Sequence, residues 1–150
     1  MTVITHPSYD QLHNACVVLA HSIKLNPTKF DSIVGLVRGG TFPAMILSHL
    51  LDVPMTAVQY SSKSGAGDNK NHSNELPNLY GKTVLIVDDI ADSGKTLTEV
   101  CKHYITNKCV VYTAVLYYKE QAQGIEPDYY WQKIPTDAPW VIFPWEPTQE

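Results

Sequence analysis

The chain contains the segment Val84-Leu85-Ile86-Val87-Asp88-Asp89-Ile90-Ala91-Asp92-Ser93-Gly94-Lys95-Thr96, an apolar run followed by two adjacent acids and a turn of small residues. Consecutive apolar residues are typical of a strand buried on both faces of a parallel sheet. The small residues predict a turn that opens into a helix. The backbone N–H groups of such a helix start, with the hydroxyls of Ser93 and Thr96, can hold a phosphate. Helix capping by Asp92 or Ser93 alone does not explain two acids at the end of an apolar strand.

The same segment ends like the phosphate-binding loop of nucleoside triphosphatases, in Ser93-Gly94-Lys95-Thr96. That loop requires a first glycine at position 89, where this chain has Asp89. A carboxylate there would point into the phosphate cradle, which disfavours a nucleoside triphosphatase. The acids instead suit a ligand with hydroxyl groups, or a Mg²⁺ ion, beside the phosphate.

Apolar runs and helical patterns alternate along most of the chain. Helical spacing of apolar residues predicts helices over 8–24, with a Ser8/Gln11 capping box, and over 41–51 and 93–105. Short apolar runs predict strands over 32–37, 55–60, 83–87 and 109–118. Strands that alternate with helices indicate βαβ units, so we expect an α/β fold with a parallel sheet flanked by helices. The order of the strands in that sheet does not follow from one sequence.

Length and composition describe an ordinary globular chain. It has 150 residues, of which 44% are hydrophobic and 17% charged, so we expect a single domain over 1–150. The formal net charge is −4 and there is no basic tract, which disfavours nucleic-acid binding through many phosphate contacts.

Three sequence features predict a soluble cytoplasmic protein. The chain has no run of about 18 apolar residues that could span a membrane. Its first residues lack the basic start and apolar stretch of a signal peptide. The cysteines Cys16, Cys101 and Cys109 are odd in number and share no CxxC spacing, so we expect reduced, buried thiols.

Two segments depart from the alternation of strands and helices. The polar stretch 61–77 is long for a structureless connection and is either a disordered surface loop or a mobile lid over a site. The stretch 126–150 holds five of the ten prolines together with many aromatic residues. Dense proline prevents a regular helix, while aromatic rings favour burial. We therefore expect a small irregular hood packed on the sheet or on another subunit.

Charged and glycine-rich residues follow three of the predicted strands. Arg38-Gly39-Gly40 comes after the first strand, Asp88-Asp89 after the third and Lys119 after the fourth. Ligands of open α/β sheets bind outside the carboxyl ends of the strands. The sequence therefore predicts a functional site at this edge of the sheet.

The 84–96 segment resembles the phosphoribosyl pyrophosphate signature of type I phosphoribosyltransferases, with Ala91 where a larger aliphatic residue is usual. The resemblance implies that family's fold, a parallel-sheet core flanked by helices with a small C-terminal hood. Arg38-Gly39-Gly40 resembles the family's pyrophosphate-binding turn. There the amides of Gly39 and Gly40 would approach the ligand, and the peptide bond before Arg38 would be cis.

The tail is similar to the end of 6-oxopurine phosphoribosyltransferases, most closely the bacterial xanthine-guanine type. The resemblance implies that Trp140 stacks on the purine, that Val141 meets the base edge through its backbone, and that Glu146 contacts a metal-bound water. It also places Lys119 on the exocyclic oxygen at C6 of the purine. A lysine offers donors only, so it favours a 6-oxo group over a 6-amino group.

The resemblance implies a purine-salvage reaction in which a purine nitrogen displaces pyrophosphate from C1 of phosphoribosyl pyrophosphate, with Mg²⁺ as cofactor. Asp88 and Asp89 would hold the ribose hydroxyls directly or through the metal, and Asp92 would face the purine's imidazole nitrogen as the catalytic group. The 5′-phosphate would be bound by four residues, Ser93, Gly94, Lys95 and Thr96. We expect a homodimer or a homotetramer, since an aromatic tail on a small core favours association.

Two other functions stay open at this point. A regulatory protein can keep this fold and bind nucleotides without turnover, because fold does not fix function. A pyrimidine or orotate phosphoribosyltransferase would run the same reaction on another base, although the pair Lys119 and Trp140 disfavours it. Preference among guanine, xanthine and hypoxanthine is set at C2 of the purine, where backbone carbonyls rather than side chains make the contacts.

Overall fold

A computed structural model describes residues 3–61 and 76–147 of the chain. Its centre is a five-stranded sheet in the order β2-β1-β3-β4-β5, in which every neighbouring pair is parallel. The strands are β1 (Ser32–Leu36), β2 (Met55–Val58), β3 (Thr83–Ala91), β4 (Val110–Lys119) and β5 (Tyr129–Ile134). All of β1 and the apolar part of β3 are buried, as the consecutive apolar residues predict.

Three helices cover the two faces of the sheet, α1 (Tyr9–Leu25), α2 (Thr41–Leu51) and α3 (Lys95–Thr106). Helices α1 and α2 pack together and share one apolar core with the sheet, while α3 packs on β3 and β4 in a second core. The predicted capping box at the start of α1 is present, with Ser8 and Gln11 bonded reciprocally at 2.9 and 3.1 Å. The α/β fold with a parallel sheet flanked by helices is confirmed.

The boundaries around the acidic segment differ from the prediction. Strand β3 continues past Val87 to Ala91 because β4 runs beside it to Lys119, and Asp88 and Ala91 lie in register with β4 residues. Helix α3 begins at Lys95 rather than Ser93. Its N-cap is Gly94, which has no side chain to cap with. The two acids therefore lie within the strand, close to its carboxyl end.

The interpretation of the whole 126–150 stretch as irregular is wrong for β5, which is a regular edge strand of the main sheet. Aromatic residues favour strands, and the prolines Pro127 and Pro135 lie outside its two ends, where they remove no hydrogen bond from the ladder. Described residues 135–147 contain no helix or strand. Val141 and Phe143 from this segment are buried in the α1–α2 core.

The structure also bears on the predictions for the cysteines, for membrane-spanning helices and for the lid. Cys16, Cys101 and Cys109 are free and buried, and burial raises the pKa of the Cys16 thiol to about 12, which keeps it protonated and unreactive. Within residues 3–61 and 76–147 no helix is long and apolar enough to cross a membrane. Of the predicted lid 61–77, all but three residues lie outside the described residues.

Candidate active site

The strand order places the ends of β1 and β3 side by side, at the point where the chain's connections diverge. From β1 the chain leaves through α2 towards β2, and from β3 it leaves through α3 towards β4 on the other face. Such a switch in direction opens a crevice at the carboxyl edge of the sheet, which is where ligands of this architecture bind. The glycine turn after β1 and the acid pair of β3 line this crevice.

Gly39 and Gly40 lie directly against the acid pair. A methyl group at Gly39 would overlap with the carboxylate of Asp89. At Gly40 it would come within 2.5 Å of the Leu36 carbonyl oxygen and 2.7 Å of that of Val87. Only glycine lets the turn approach β3 this closely. The peptide bond between Val37 and Arg38 is cis, as the resemblance implies.

A cavity of about 650 Å³ opens beside this turn. Four predicted site residues lie on its polar wall, Arg38, Gly39, Asp89 and Glu146. Its other wall is aromatic, and here the rings of Phe42 and Trp145 lie 5.3 Å apart with Tyr9 beside them. The sequence did not single out Tyr9 or Phe42, because both fall within helical patterns that also fit core packing.

The carboxyl groups of Asp88 and Asp89 form a closely coupled acid pair. The Asp89 N–H donates to Oδ1 of Asp88 at 2.8 Å, and the Ile90 N–H donates to Oδ1 of Asp89 at 2.8 Å. Burial, and then the charge of Asp89, raises the pKa of Asp88 well above its ordinary value. Burial also raises the pKa of Asp89, although the hydrogen bonds it accepts oppose that shift. Such a pair is stabilised by a nearby cation.

The chemistry of this donor set fits a bound Mg²⁺ ion. Proteins hold Mg²⁺ with one or two carboxylates, together with waters and substrate phosphates, rather than with a cage of side chains. Asp89 and Glu146 face one cavity and Asp88 adjoins Asp89, which supplies carboxylates of this kind. No group of three or more His, Cys, Asp or Glu side chains that could hold a metal occurs among the described residues, so a ligand would have to complete the coordination.

The turn between β3 and α3 is shaped by Gly94. Its φ angle of +82° lies in the left-handed region, and a methyl group there would overlap with the Gln123 carbonyl oxygen. Ser93 Oγ accepts a hydrogen bond from the Lys95 N–H at 3.2 Å. A small cavity of about 90 Å³ lies at this turn, lined by residues that include Asp88, Asp92, Ser93, Gly94 and Thr96. It lies at the start of α3, where the helix dipole favours an anion.

Asp92, Lys119 and Trp140 come together although they are far apart in the sequence. The Lys119 ammonium lies 2.8 Å from Oδ1 of Asp92 and 4.3 Å from the centre of the Trp140 ring. The Lys119 side chain is only 14% exposed, whereas that of Asp92 is 50% exposed and Trp140 is 61% exposed. The cluster therefore has a largely buried cation with an accessible acid and an accessible aromatic side chain.

Val141 lies next to this cluster with its side chain in the core, 3% exposed. The residue as a whole is buried, so a backbone contact of Val141 with the edge of a base stays a prediction from the resemblance. The predicted site residues thus fall into two adjoining groups, one at the glycine turn and acid pair and one at Asp92 and Lys119. The small cavity, lined by both Asp88 and Asp92, connects the two groups.

Another cavity, of about 590 Å³, lies at the opposite edge of the sheet, between the end of α1 and the end of α2. It contains none of the residues that the sequence singles out. Its size alone does not make it the functional site, because the acid pair, the glycine turn and the cation cluster all lie at the other edge.

Comparisons with known proteins identify the family of the chain. Residues 8–150 match the model of the phosphoribosyl transferase domain. The chain is 31% identical to the xanthine-guanine phosphoribosyltransferase of Ruegeria sp. (strain TM1040), over 94% of this chain and 84% of that protein. A crystal structure of a purine phosphoribosyltransferase from Pyrococcus horikoshii Ot3 superposes with a TM-score of 0.79 and 30% identity, covering 97% of this chain and 96% of the other. The Helicobacter pylori xanthine-guanine-hypoxanthine phosphoribosyltransferase gives a TM-score of 0.74 at 25% identity, with 94% and 92% coverage. The chain therefore belongs to the phosphoribosyltransferase family, with the type I fold, and it is similar to xanthine-guanine phosphoribosyltransferases over most of its length.

Proposed function

We propose that the protein is a purine phosphoribosyltransferase, which transfers the 5-phosphoribosyl group from phosphoribosyl pyrophosphate to a 6-oxopurine. The products are the nucleoside monophosphate and pyrophosphate. The observation that carries the proposal is the contact of Lys119 with both Asp92 and Trp140. It joins an aromatic face, a hydrogen-bond donor and a carboxylate within the reach of one planar ligand.

Recognition of the base follows from the chemistry of this cluster. The exposed Trp140 ring offers a stacking surface for a purine, and the Lys119 ammonium donates to an oxygen at C6. A 6-amino group would bring a second set of donors against the ammonium, so adenine is disfavoured. The backbone at Val141 supplies further contacts to the edge of the base.

Transfer breaks the bond between C1 of the ribose and the pyrophosphate oxygen, and forms a bond from C1 to a purine imidazole nitrogen. The purine N–H proton must leave as that bond forms. Asp92 is accessible and lies at the cluster, so we assign it the acceptance of this proton. Asp88 and Asp89 hold the ribose hydroxyls, and the turn from Ser93 to Thr96 holds the 5′-phosphate.

The leaving pyrophosphate binds at the Arg38-Gly39-Gly40 turn. The Arg38 guanidinium and the Gly39 amide stabilise the charge that grows on it. The Gly40 N–H, which the resemblance also assigns to the ligand, donates to the Leu36 carbonyl oxygen at 2.8 Å instead. Asp88, Asp89 and Glu146 would hold Mg²⁺ directly or through water, and the ion would neutralise part of the same charge.

The cellular setting that we propose is the cytoplasm, in which free thiols such as those of Cys16 and Cys101 stay reduced. We also propose a homodimer or homotetramer. Tyr9 is 51% and Met45 46% exposed beside the aromatic cavity, an apolar surface that association would cover. Sedimentation of the purified protein gives the mass as a multiple of 16.8 kDa and so tests the assembly.

The test is pyrophosphate release from phosphoribosyl pyrophosphate with Mg²⁺, against guanine, xanthine, hypoxanthine, adenine, uracil and orotate. Release with the oxopurines alone is the expected result, and their rates rank the preferred base. Release with a pyrimidine would keep the reaction and overturn the assigned roles of Lys119 and Trp140. Nucleotide binding without turnover of any base would favour a regulatory protein instead.

A further inference from the structure

The loop that follows Lys119 is fastened to the turn that follows β3. The Gln123 N–H donates to the Ser93 carbonyl oxygen at 2.8 Å, and the Ile125 N–H donates to Oγ1 of Thr98 at 3.0 Å. Ser93 belongs to the proposed phosphate-binding turn, and Thr98 lies on the first turn of α3. Two backbone N–H groups of the loop are thus held, one by the turn that would bind phosphate and the other by the first turn of α3.

Thr98 is the side chain that makes the second of these connections. Its own N–H continues the helix by donating to the Gly94 carbonyl oxygen at 3.0 Å, so its backbone is fixed to the start of α3. Its hydroxyl accepts from Ile125, and its side chain also packs against Gly124, where a methyl group would overlap with Oγ1. The φ angle of Gly124 is +92°, so the loop turns sharply at the place where it meets Thr98.

A third connection runs between the same two segments, the ion pair of Asp92 with Lys119. Lys119 is the last residue of β4, directly before the loop, and Asp92 is the residue before Ser93. Two hydrogen bonds and one ion pair therefore connect the segment that would recognise the base with the segment that would hold the 5′-phosphate. A shift of one segment must move or strain the other, because the connections are one backbone hydrogen bond, one hydrogen bond to the Thr98 hydroxyl and one ion pair.

We propose that Thr98 is a positioning residue that couples the 5′-phosphate subsite to the base subsite, so that occupation of one raises affinity for the other. The inference rests on the proposed function, which assigns the two subsites. Phosphate binding fixes the turn 93–96 and the start of α3. Through Thr98 this fixes the loop and with it Lys119, so the base then binds to a site already ordered. The coupling is reciprocal, because two binding free energies are linked.

The experiment measures the dissociation constant of hypoxanthine by calorimetry, with and without saturating ribose 5-phosphate, in the presence of Mg²⁺. Ribose 5-phosphate carries the 5′-phosphate but no pyrophosphate, so no transfer occurs. For the wild-type protein we expect hypoxanthine to bind at least about 5-fold more tightly with ribose 5-phosphate. Thr98→Val keeps the shape but lacks the acceptor, and we expect its ratio to fall below about 2-fold.

Two variants serve as controls. Thr98→Ser keeps the hydroxyl and should retain the wild-type ratio, which shows that the hydrogen bond and not the methyl group matters. Thr106→Val makes the same substitution at the exposed last residue of α3 and should also leave the ratio unchanged. A thermal melt of each variant records any loss of stability separately.

The outcomes separate the coupling from the proposed function. A Thr98→Val protein that melts earlier but keeps the wild-type ratio would show a merely structural residue and overturn the inference. An equal fall of the affinity ratio in Thr106→Val or in Thr98→Ser would overturn the inference as well. A wild-type protein that turns over 6-oxopurines but shows no effect of ribose 5-phosphate on base binding refutes the coupling alone. Failure of the wild type to bind either compound refutes the proposed function and the coupling together.

Discussion

Lys119 is the residue at which the charges and rings of the candidate site meet. Its ammonium is largely buried, pairs with Asp92 and lies over Trp140. A carboxylate and an aromatic face both compensate a cation for the loss of contact with water, and here both accompany Lys119. These two contacts limit the conformations open to the Lys119 side chain, which reduces the entropy lost when a base binds.

At the same scale we predict that Asp92→Asn lowers kcat by about 10²–10⁴-fold, the usual contribution of a positioned proton acceptor. Asparagine keeps the shape of the side chain and an oxygen that accepts from Lys119, so the melting temperature should stay close to that of the wild type. Steady-state kinetics and a thermal melt measure the two quantities.

The matched control for that prediction is Asp52→Asn. Asp52 is exposed at the end of α2, at the opposite edge of the sheet, with a φ angle of 54° that asparagine also tolerates. It should change neither kcat nor stability. If Asp92→Asn retained more than a tenth of the wild-type kcat, Asp92 would be an anchor for the base and not the proton acceptor.

A second residue-scale prediction concerns specificity. Lys119→Ala removes a charged hydrogen bond of about 1.5–3 kcal/mol to the 6-oxo group, which corresponds to a fall of about 10–100-fold in kcat/KM for hypoxanthine. Adenine, which gains nothing from that donor, should lose far less, so the preference for hypoxanthine over adenine narrows. Kinetics with both bases measure the change.

Lys133→Ala is the control for this substitution, because Lys133 also lies over an aromatic ring, 5.6 Å from the centre of Tyr118, but is exposed on β5. It should leave the preference unchanged. An unaltered ranking of bases in Lys119→Ala would show that another group reads C6.

At the scale of elements, the site combines the carboxyl ends of β3 and β4, which supply Asp88, Asp89 and Lys119, with the turns that follow β1 and β3. Each turn depends on glycine where two segments approach closely, Gly39 against Asp89 and Gly94 against Gln123. These glycines allow close approach of segments that are distant in the sequence. The turns therefore determine the geometry of the site, while the sheet provides its stability.

Comparison of two glycines tests this view. Gly81 and Gly94 both have positive φ angles, of 75° and 82°, but only Gly94 has another residue in the way of a methyl group. Alanine at either position should lower the free energy of unfolding by about 1–2 kcal/mol for the backbone alone. Only Gly94→Ala should also raise KM for phosphoribosyl pyrophosphate, by at least about 10-fold, because the turn must move away from Gln123. Urea unfolding and kinetics measure both effects, and similar KM values in the two variants would count against a role for this turn.

The sequence predicted the elements well where local patterns determine them. The capping box of α1, the helix α2 and the buried strands β1 and β3 follow from spacing and burial within short stretches. Strand β5 was missed because its prolines suggested an irregular segment, although they lie just outside the strand. The position of the crevice between β1 and β3 depends on strand order, which is set by packing across the whole sheet and not by any local pattern.

In the candidate site, too, features that depend on local sequence could be predicted and features that depend on packing could not. The residue types at the strand ends, and the cis bond before Arg38, followed from the motif and the resemblance. The contacts of Thr98 with the loop after Lys119 could not be predicted, because a threonine within a helical pattern carries no local signal of a partner 27 residues away.

At the scale of the whole molecule, the residues of the candidate site and the residues that hold the sheet together lie in different parts of the structure. The carboxyl edge holds the acids, the glycine turns and the cation cluster. Away from it, polar contacts stabilise the fold, and one such contact, partly buried, joins Thr113 of β4 to Asp128, the residue before β5. Thr113 N–H and hydroxyl donate to Oδ2 of Asp128 at 2.9 and 3.2 Å, and the Asp128 N–H donates to the Thr113 hydroxyl at 2.9 Å.

This division predicts that stability and activity can be changed separately. Thr113→Val leaves the Asp128 N–H without its acceptor, so the free energy of unfolding should fall by about 1–3 kcal/mol in urea. Because Thr113 precedes Lys119 by six residues, about 20 Å along the strand, kcat/KM at 25 °C should stay within about twofold of the wild type. Thr113→Ser, which keeps the hydroxyl, should lose less stability. A fall in kcat/KM beyond the fraction unfolded would show that the attachment of β5 also sets the geometry at Lys119, and that the two parts of the structure are not independent.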